Sequence, residues 1–414
     1  MLHLKKEQCK WYYVIVDVLL DSTLIGSQKN LLMSSDGYTW IEGSSPDVWH
    51  LSGAIKNESQ RCWDTVLKLS LVSSSSIPTP PLPYLKMMTH IAPDSSPPWS
   101  MVLPPSKYKM FFNDIVKYVQ SHLDVSTTYY EDAWVPGNRI LNALKPAKVD
   151  GSRVAEIVSS SAINSHVVES FRPRAGGYAS PVKYDRFGTV TGRLIVESGP
   201  NILLLKKDYR SIIKPSVQGG KIMSIDFSSL EARILLYESG NDCQEFDLYG
   251  MLARQFGDMP RDLVKAAVLS VLYGSSRSSV ALHLGISEEK VIDVIRKIEG
   301  YIDTKSIIRK LRAQHEDVGY ITNRFGRRLT IDKPQDNIFV SYYAQSTGVD
   351  VSLMGFSKVF ESLGSNGIRP LFVLHDALIL DVHPDRVQDV MKTDKISVPG
   401  YDQVFPLKIE EISR

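Results

Sequence analysis

Cysteine is scarce: Cys9, Cys62 and Cys243 are the only three in 414 residues. An odd number at such wide spacing supports neither a disulfide framework nor a zinc site, so reduced, buried thiols are expected. Long apolar runs are also missing. The longest, residues 11–20 and 202–205, fall short of a membrane span, and the N-terminus lacks a basic-then-apolar stretch with a small-residue cleavage site. A soluble, cytoplasmic chain is expected, in the host cytoplasm if viral, with no membrane partner. There is no internal repeat. An excess of either charge is nearly absent overall, at a net +2, but charge is unevenly placed. Residues 139–221 hold fourteen Lys or Arg against six Asp or Glu, so the remainder is net acidic. A basic segment can follow a phosphate backbone while carboxylates gather elsewhere for metal ions, although a solvated basic face has the same composition.

What is present is ordinary globular usage, 43% hydrophobic and 23% charged, enough for two or three domains. Residues 1–70 read as short strands, of which Trp11 to Val16 is the clearest, forming a small β-rich region of unassigned role. Residues 71–106 carry two Pro/Ser clusters that break helices and central strands and read as an extended linker. Helical patterning starts near Lys107 with Phe111, Phe112, Ile115, Val116 and Val119, and residues 152–160 suit a second helix. After Gly219, strands and helices alternate, which argues for an α/β body.

Two acids stand out by position. Lys221 to Asp226 is a strand that delivers Asp226 at its end, just before a helical run. Leu371 to Leu374 leads into His375-Asp376, and Ala377 to Val382 resumes an extended pattern, as if the pair formed a tight hairpin turn. A carboxylate between apolar strands is costly to bury without a cation or donor. Each aspartate taken singly is equally a turn or cap residue. Together in one sheet, the two could bridge two Mg²⁺ ions for in-line phosphoryl transfer. A helix opening at Asp258-Met259-Pro260, with Asp258 as cap, then places Arg261, Lys265, Leu269 and Tyr273 four residues apart on one face. Cations followed by an apolar and an aromatic residue suit a nucleotide, and Gly274 permits close backbone approach. The same stripe also fits an amphipathic helix with snorkelling basic residues.

These residues resemble the signatures of family A DNA polymerases. Asp226-Phe227-Ser228-Ser229-Leu230-Glu231-Ala232-Arg233 is similar to motif A, Arg261 with Lys265, Tyr273 and Gly274 to motif B, and Val373-Leu374-His375-Asp376 to motif C. Thr191-Gly192-Arg193-Leu194, Pro200-Asn201, residues 319–329 and Gln345 extend the resemblance over about 184–381. It implies a right hand of α/β (α+β) class: a palm sheet and fingers within 216–414 (fingers about 240–310), a basic, helical thumb over 107–215, and the β-rich N-terminal region. It implies transfer of dNMP from dNTP to a primer 3′-hydroxyl, using two Mg²⁺ ions for which Mn²⁺ can substitute. Asp226, Asp376 and the Phe227 backbone carbonyl would hold the metals. Arg261 and Lys265 would take the triphosphate, with Lys265 as general acid, and Leu269, Tyr273, Glu231 and Phe227 would line the nucleotide site. Arg193, Asn201, Gly274, Arg327, Arg328, Gln345 and His375 would meet primer-template DNA.

Four departures qualify the resemblance. Ala377 stands where motif C usually continues with Glu. Leu269 stands where Phe or Tyr is common, so weak acceptance of dideoxynucleotides is expected. Ser229 replaces the usual Gln. Val14 to Leu19 resembles the first strand of a proofreading exonuclease, but position 19 is Leu where an acid is needed, so no 3′–5′ proofreading is expected; residues 1–70 are left as a dock for a replication partner. Glu231 has two candidate roles: a capping box with Ser228, and, as the resemblance implies, exclusion of the ribose 2′-hydroxyl. The competing functions are a single-subunit RNA polymerase-like enzyme, which Glu231 argues against, and a non-catalytic DNA-binding replication factor. Replication and repair roles both fit.

Overall fold

The computed structural model describes residues 17–43, 48–51, 61–72, 77–91, 98–160, 165–241, 245–274 and 276–412. The strand expected from Trp11 to Val16 lies outside them, as do Cys9 and Cys243. Cys62 is a free, partly buried thiol. The chain divides into two units, Met1–Tyr130 and Glu131–Arg414.

The first unit is built on a five-stranded mixed sheet. Val18–Leu20 is buried at all three positions and takes the centre. It runs antiparallel to Asn30–Ser34, which turns through Ser35-Asp36 into the edge strand Gly37–Ile41. On its other side it runs parallel to Trp49–Leu51, and that strand is parallel to Arg61–Cys62. Helix Pro105–Gln120 buries Phe111, Ile115, Val116 and Val119, one stripe at helical spacing, and packs against Asn30–Ser34. The helix expected there therefore forms, but as part of the N-terminal unit. The break expected at 106/107 falls instead after Tyr130. Residues 71–106 are not extended throughout either: Leu82–Ile91 and Trp99–Val102 are helical. Pro83 is tolerated because the first turn has no intrahelical acceptor for the N–H that proline lacks.

The second unit is organised around another five-stranded sheet. Its order is Ile368–Leu374, Ala377–Val382, Lys221–Phe227, Val404–Glu411 and Lys395–Ser397, each strand antiparallel to its neighbours. The 28-residue helix Asp336–Leu363 packs on helices Val135–Ala143 and Leu230–Glu238. Gly355 within it is required by contact: a Cβ there would lie 2.6 Å from the Phe227 ring. Between Leu230–Glu238 and the long helix the described residues are helical up to the short hairpin 320–330, with helices Leu248–Gln255, Arg261–Tyr273, Arg277–Leu284, Glu288–Tyr301 and Thr304–Val318. Ala377–Val382 is fully buried, and such a strand needs cover on both faces. Part of that cover comes from Val149, Val154, Ile157 and Phe171, which share one core with Ile222, Leu371, Phe372 and Ile379. Part of the basic region upstream thus packs on the sheet. No helix among the described residues is long and apolar enough to cross a membrane.

A buried polar network ties the upstream segment to the long helix. Arg186 and Asp350 pair at 2.9 Å with side chains only 2% and 1% exposed. Arg186 also donates to the Trp134 carbonyl and Asn138 Oδ1, and lies 4.0 Å over the Trp134 ring. Asn323 donates to Asp350 and Ser346, and its Oδ1 accepts from the backbone N–H groups of Phe325 and Arg327. Removing one partner strands a buried charge, so Asp350→Ala is expected to cost about 3–5 kcal/mol in urea unfolding. An exposed pair such as Arg139–Glu361, broken by Glu361→Ala, is expected to cost under about 1 kcal/mol. Equal losses in the two variants would contradict the assigned weight of the network.

Candidate active site

Asp226 occupies the next-to-last position of the central strand, between Ala377 on one neighbour and Lys408 on the other. The two-residue loop His375-Asp376 joins Leu374 to Ala377, which are paired across the hairpin. His375 takes φ 55°, the left-handed conformation that tight hairpin loops demand and that a non-glycine residue adopts at a cost of about 1–2 kcal/mol. The Phe227 N–H donates to the Asp376 carbonyl at 3.0 Å, locking the two acid-bearing segments together. Both carboxylates thus sit at one end of the sheet, as the sequence pattern predicts.

Their electrostatics are unfavourable as they stand. Burial first, and then the Asp376 charge, push the Asp226 carboxyl up to about 7, against a weaker opposing pull from Lys408. Lys408 does not pair with it; its ammonium is 2.5 Å from Glu410. Burial also raises Asp376, with His375 and Arg193 pulling the other way. Two crowded carboxylates are hard oxygen donors that suit Mg²⁺ or Mn²⁺. Their arrangement fits a divalent cation, with the Phe227 carbonyl nearby in the chain as a further donor. Among the described residues no group of three or more His, Cys, Asp or Glu side chains forms a metal cluster, so Ala377 is not replaced by a third acid in direct reach.

A cavity of about 530 Å³ opens beside Asp376 and collects Arg193, Glu231, Tyr273, Gln345 and His375. Glu231 is not part of a capping box. The first residue before its helix is Ser229, at φ 56° and without a side-chain cap, while Ser228 donates to the Phe246 carbonyl. The Glu231 carboxylate instead accepts from Arg193 at 2.9 Å. Burial raises its pKa, with Arg193 opposing.

Arg327 departs from its expected role. It is 5% exposed and donates to the Arg186 carbonyl, and its guanidinium carbon lies only 2.7 Å from where a Cβ on Gly192 would be. It therefore supports the Gly192-Arg193 loop from beneath rather than presenting itself to DNA. Arg328 stacks over Tyr320 at 4.8 Å, and Asn201 does not line the cavity.

On helix Arg261–Tyr273, Asp258 supplies no cap; Pro260 precedes the first residue without a side-chain hydrogen bond. Arg261 is held by Asp247, with contacts of 2.9 and 3.0 Å, and lies 5.7 Å over the Tyr249 ring. Lys265 is exposed, Leu269 half-buried, and Tyr273 reaches the cavity. Gly274 ends the helix at φ 74°, where a Cβ would meet the Asn337 side-chain nitrogen at 2.5 Å. It borders a second cavity, not the one beside Asp376. The stripe therefore brings Tyr273 to the acids' cavity and leaves Arg261 turned to Asp247, an acid outside the motifs. Asp247 was legible as a helix N-cap, which it is, through Gly250 N–H. Arg233, 1% exposed and donating to the Ser228, Glu245 and Phe246 carbonyls, gave no signal beyond its place in the motif.

The profile of DNA polymerase family A matches residues 179–409, more than half of the sequence. The chain belongs to DNA polymerase family A. It is 24% identical over 308 residues to the thermostable DNA polymerase I of Thermus aquaticus, a match covering 66% of this chain and 36% of that one. It is 30% identical over 184 residues to the DNA polymerase of Mycobacterium phage D29, covering 41% of this chain and 30% of that one. The matches thus take in about a third of these relatives' length. The fold is similar to the POL domain of Pol1 from M. smegmatis, solved in complex with DNA primer-template and dNTP, at a TM-score of 0.54 and 14% identity, over 96% of this chain and 94% of that one. The expected mixed helix-and-sheet fold of a family A polymerase is thereby established.

The strain on Asp226 gives this family A chain a measurable pH signature. Between the ordinary aspartate value near ~3.9 and about 7, the folded chain holds a proton that the unfolded chain has lost, so metal-free stability falls as pH rises through that window. Asp226→Asn stays neutral. In urea unfolding with EDTA it is expected to be more stable than wild type above that window, at about pH 8, and to lose the advantage as pH falls to the window's lower edge, at about pH 4. An unchanged difference across that range would contradict the assignment.

Proposed function

We propose that this chain is a template-directed DNA polymerase that adds dNMP from dNTP to a primer 3′-hydroxyl. The observation that carries the proposal is the junction of Asp226 and Asp376, two half-buried carboxylates at one sheet end, beside a cavity that also holds Glu231 and Tyr273. Two Mg²⁺ ions held by Asp226, Asp376 and the Phe227 carbonyl would supply charge neutralisation on the triphosphate and a more acidic primer hydroxyl.

The remaining work falls to protein side chains. Arg261, released from Asp247, and the exposed Lys265 would bind phosphate oxygens, and Lys265 Nζ would give a proton to the departing pyrophosphate. Tyr273 would stack near the templating position, with Leu269 against the sugar. Glu231, held by Arg193 across the cavity, would exclude a ribose 2′-hydroxyl. Arg193, Gln345 and His375, which line the cavity, would touch primer-template DNA, and Arg327 would act only through the loop that carries Arg193. Proofreading is not part of the proposed activity: Asp17 is exposed, whereas Leu19 is 2% exposed within the central strand of its sheet.

Primer extension tests both halves of the reading. Asp226→Ala and Asp376→Ala are each expected to lower Mg²⁺-dependent extension by at least about a thousandfold, on the order of 4 kcal/mol of transition-state stabilisation, and wild type is expected to leave a 3′-mispaired primer undegraded. Equal extension by all three proteins would sink the two-aspartate mechanism, and no extension by wild type would leave a DNA-binding factor as the better reading. In single-nucleotide extension, Glu231→Ala is expected to raise ribonucleotide incorporation by roughly tenfold or more, about 1.4 kcal/mol of lost discrimination. Unchanged discrimination would remove Glu231 from sugar selection.

A further inference from the structure

Arg261 and Lys265 are the two cations assigned to the triphosphate, and the protein treats them differently. Lys265 is exposed. The Arg261 guanidinium is taken up by Asp247: its Nε donates to both carboxylate oxygens, at 3.0 and 2.9 Å, and a terminal nitrogen lies 2.9 Å from Oδ1. It also lies 5.7 Å over the ring of Tyr249, two residues beyond the acid. Asp262 stands further off, at 4.0 Å, and is largely exposed, so Asp247 is the acid that holds Arg261.

The chain around Asp247 fixes where its carboxylate sits. As N-cap of Leu248–Gln255 it accepts from the Gly250 N–H at 3.2 Å, and a Cβ at position 250 would collide with its Oδ2. That helix packs on Arg261–Tyr273, so acid and arginine stand at the starts of two packed helices rather than on loose loops. The hydrogen bond from Arg261 is the main influence lowering the Asp247 carboxyl, and Asp247 in turn raises Arg261. A carboxylate and a phosphate both offer paired oxygens to the fork of a guanidinium, so an Arg261 held this way must let go of one to take the other.

We infer that Asp247 sets the dNTP affinity of this chain by competing with triphosphate oxygens for Arg261. The inference rests on the reading of Arg261 as a triphosphate ligand. Asp247 is then a positioning residue, acting through Arg261 and touching neither metal nor nucleotide. Its side chain and that of Arg261 are 46% and 50% exposed, and exposed pairs are weak, so the competition changes affinity by a small multiple and not by orders of magnitude. An acid near a triphosphate also repels it directly; a double-mutant cycle with Arg261 separates that repulsion from competition.

The test is a fluorescence titration of the complementary dNTP, with Mg²⁺, into the full chain bound to a labelled primer-template whose primer ends in a dideoxynucleotide, so that binding is read without chemistry. Asp247→Asn and Asp247→Ser both keep an oxygen that can cap the helix and remove the charge. Each is expected to lower the dNTP Kd by roughly two- to fivefold. A merely structural role for Asp247 would instead weaken binding. Arg261→Ala is expected to raise the Kd, and adding Asp247→Asn to it is expected to change nothing further. Unchanged or weaker binding in both Asp247 variants would overturn the inference. So would an equal tightening in the Arg261→Ala background, the mark of direct repulsion. An unchanged Kd in Arg261→Ala would remove Arg261 from the triphosphate and the inference with it. The polymerase reading stands or falls separately, on primer extension by the Asp226 and Asp376 variants.

Discussion

The central unit depends on one strand, Lys221–Phe227, being held on both sides. Ala377–Val382 and Val404–Glu411 pair with it along nearly its whole length, and the Phe227 N–H reaches past the last rung to the Asp376 carbonyl. Ladder hydrogen bonds fix the positions of both carboxylates to within the stiffness of a sheet, far tighter than loops alone could. The electrostatic result is a site under strain: burial and mutual repulsion hold Asp226 near neutral protonation, and Lys408 is diverted to Glu410. Lys408, His375 and Arg193 offset the crowded negative charge only in part, which leaves a place where a divalent cation would be stabilising.

The layers around this strand serve its placement. Phe227 points into the core against Phe356 and Phe405, and the long helix can approach because position 355 is glycine. The Arg186–Asp350–Asn323 network joins the upstream segment to that helix, and Arg327 uses the same region to prop the Gly192-Arg193 loop. Arg193 then faces Glu231 across the cavity. Buried polar contacts around Arg186, and the packing of Arg327 under Gly192, thus lead from the fold's interior to the more exposed Arg193–Glu231 pair.

Much of the site was legible because it is local. A strand ending in Asp226 and a hairpin turn at His375-Asp376 are short-range patterns, and the structure has both where the sequence places them. What escaped depends on packing between distant segments. Arg327 and Arg193 look equally cationic in sequence; only burial beneath Gly192 separates a structural arginine from one facing the cavity. Ser228 and Glu231 have capping-box spacing, but Ser229 enters the left-handed region and Arg193 captures the acid. The N-terminal boundary was misplaced for a similar reason. Proline and serine density marked a linker, yet the apolar stripe of Pro105–Gln120 finds its partner in the sheet before it.

Whether Asp226 and Asp376 together form a divalent-metal centre, as proposed, is tested by the stoichiometry of bound Mn²⁺ measured by electron paramagnetic resonance with primer-template and dNTP present. Wild type is expected to bind Mn²⁺ at this centre, and Asp226→Ala and Asp376→Ala are each expected to lose it. Occupancy that is unchanged in both variants would show that the two aspartates do not hold the metal.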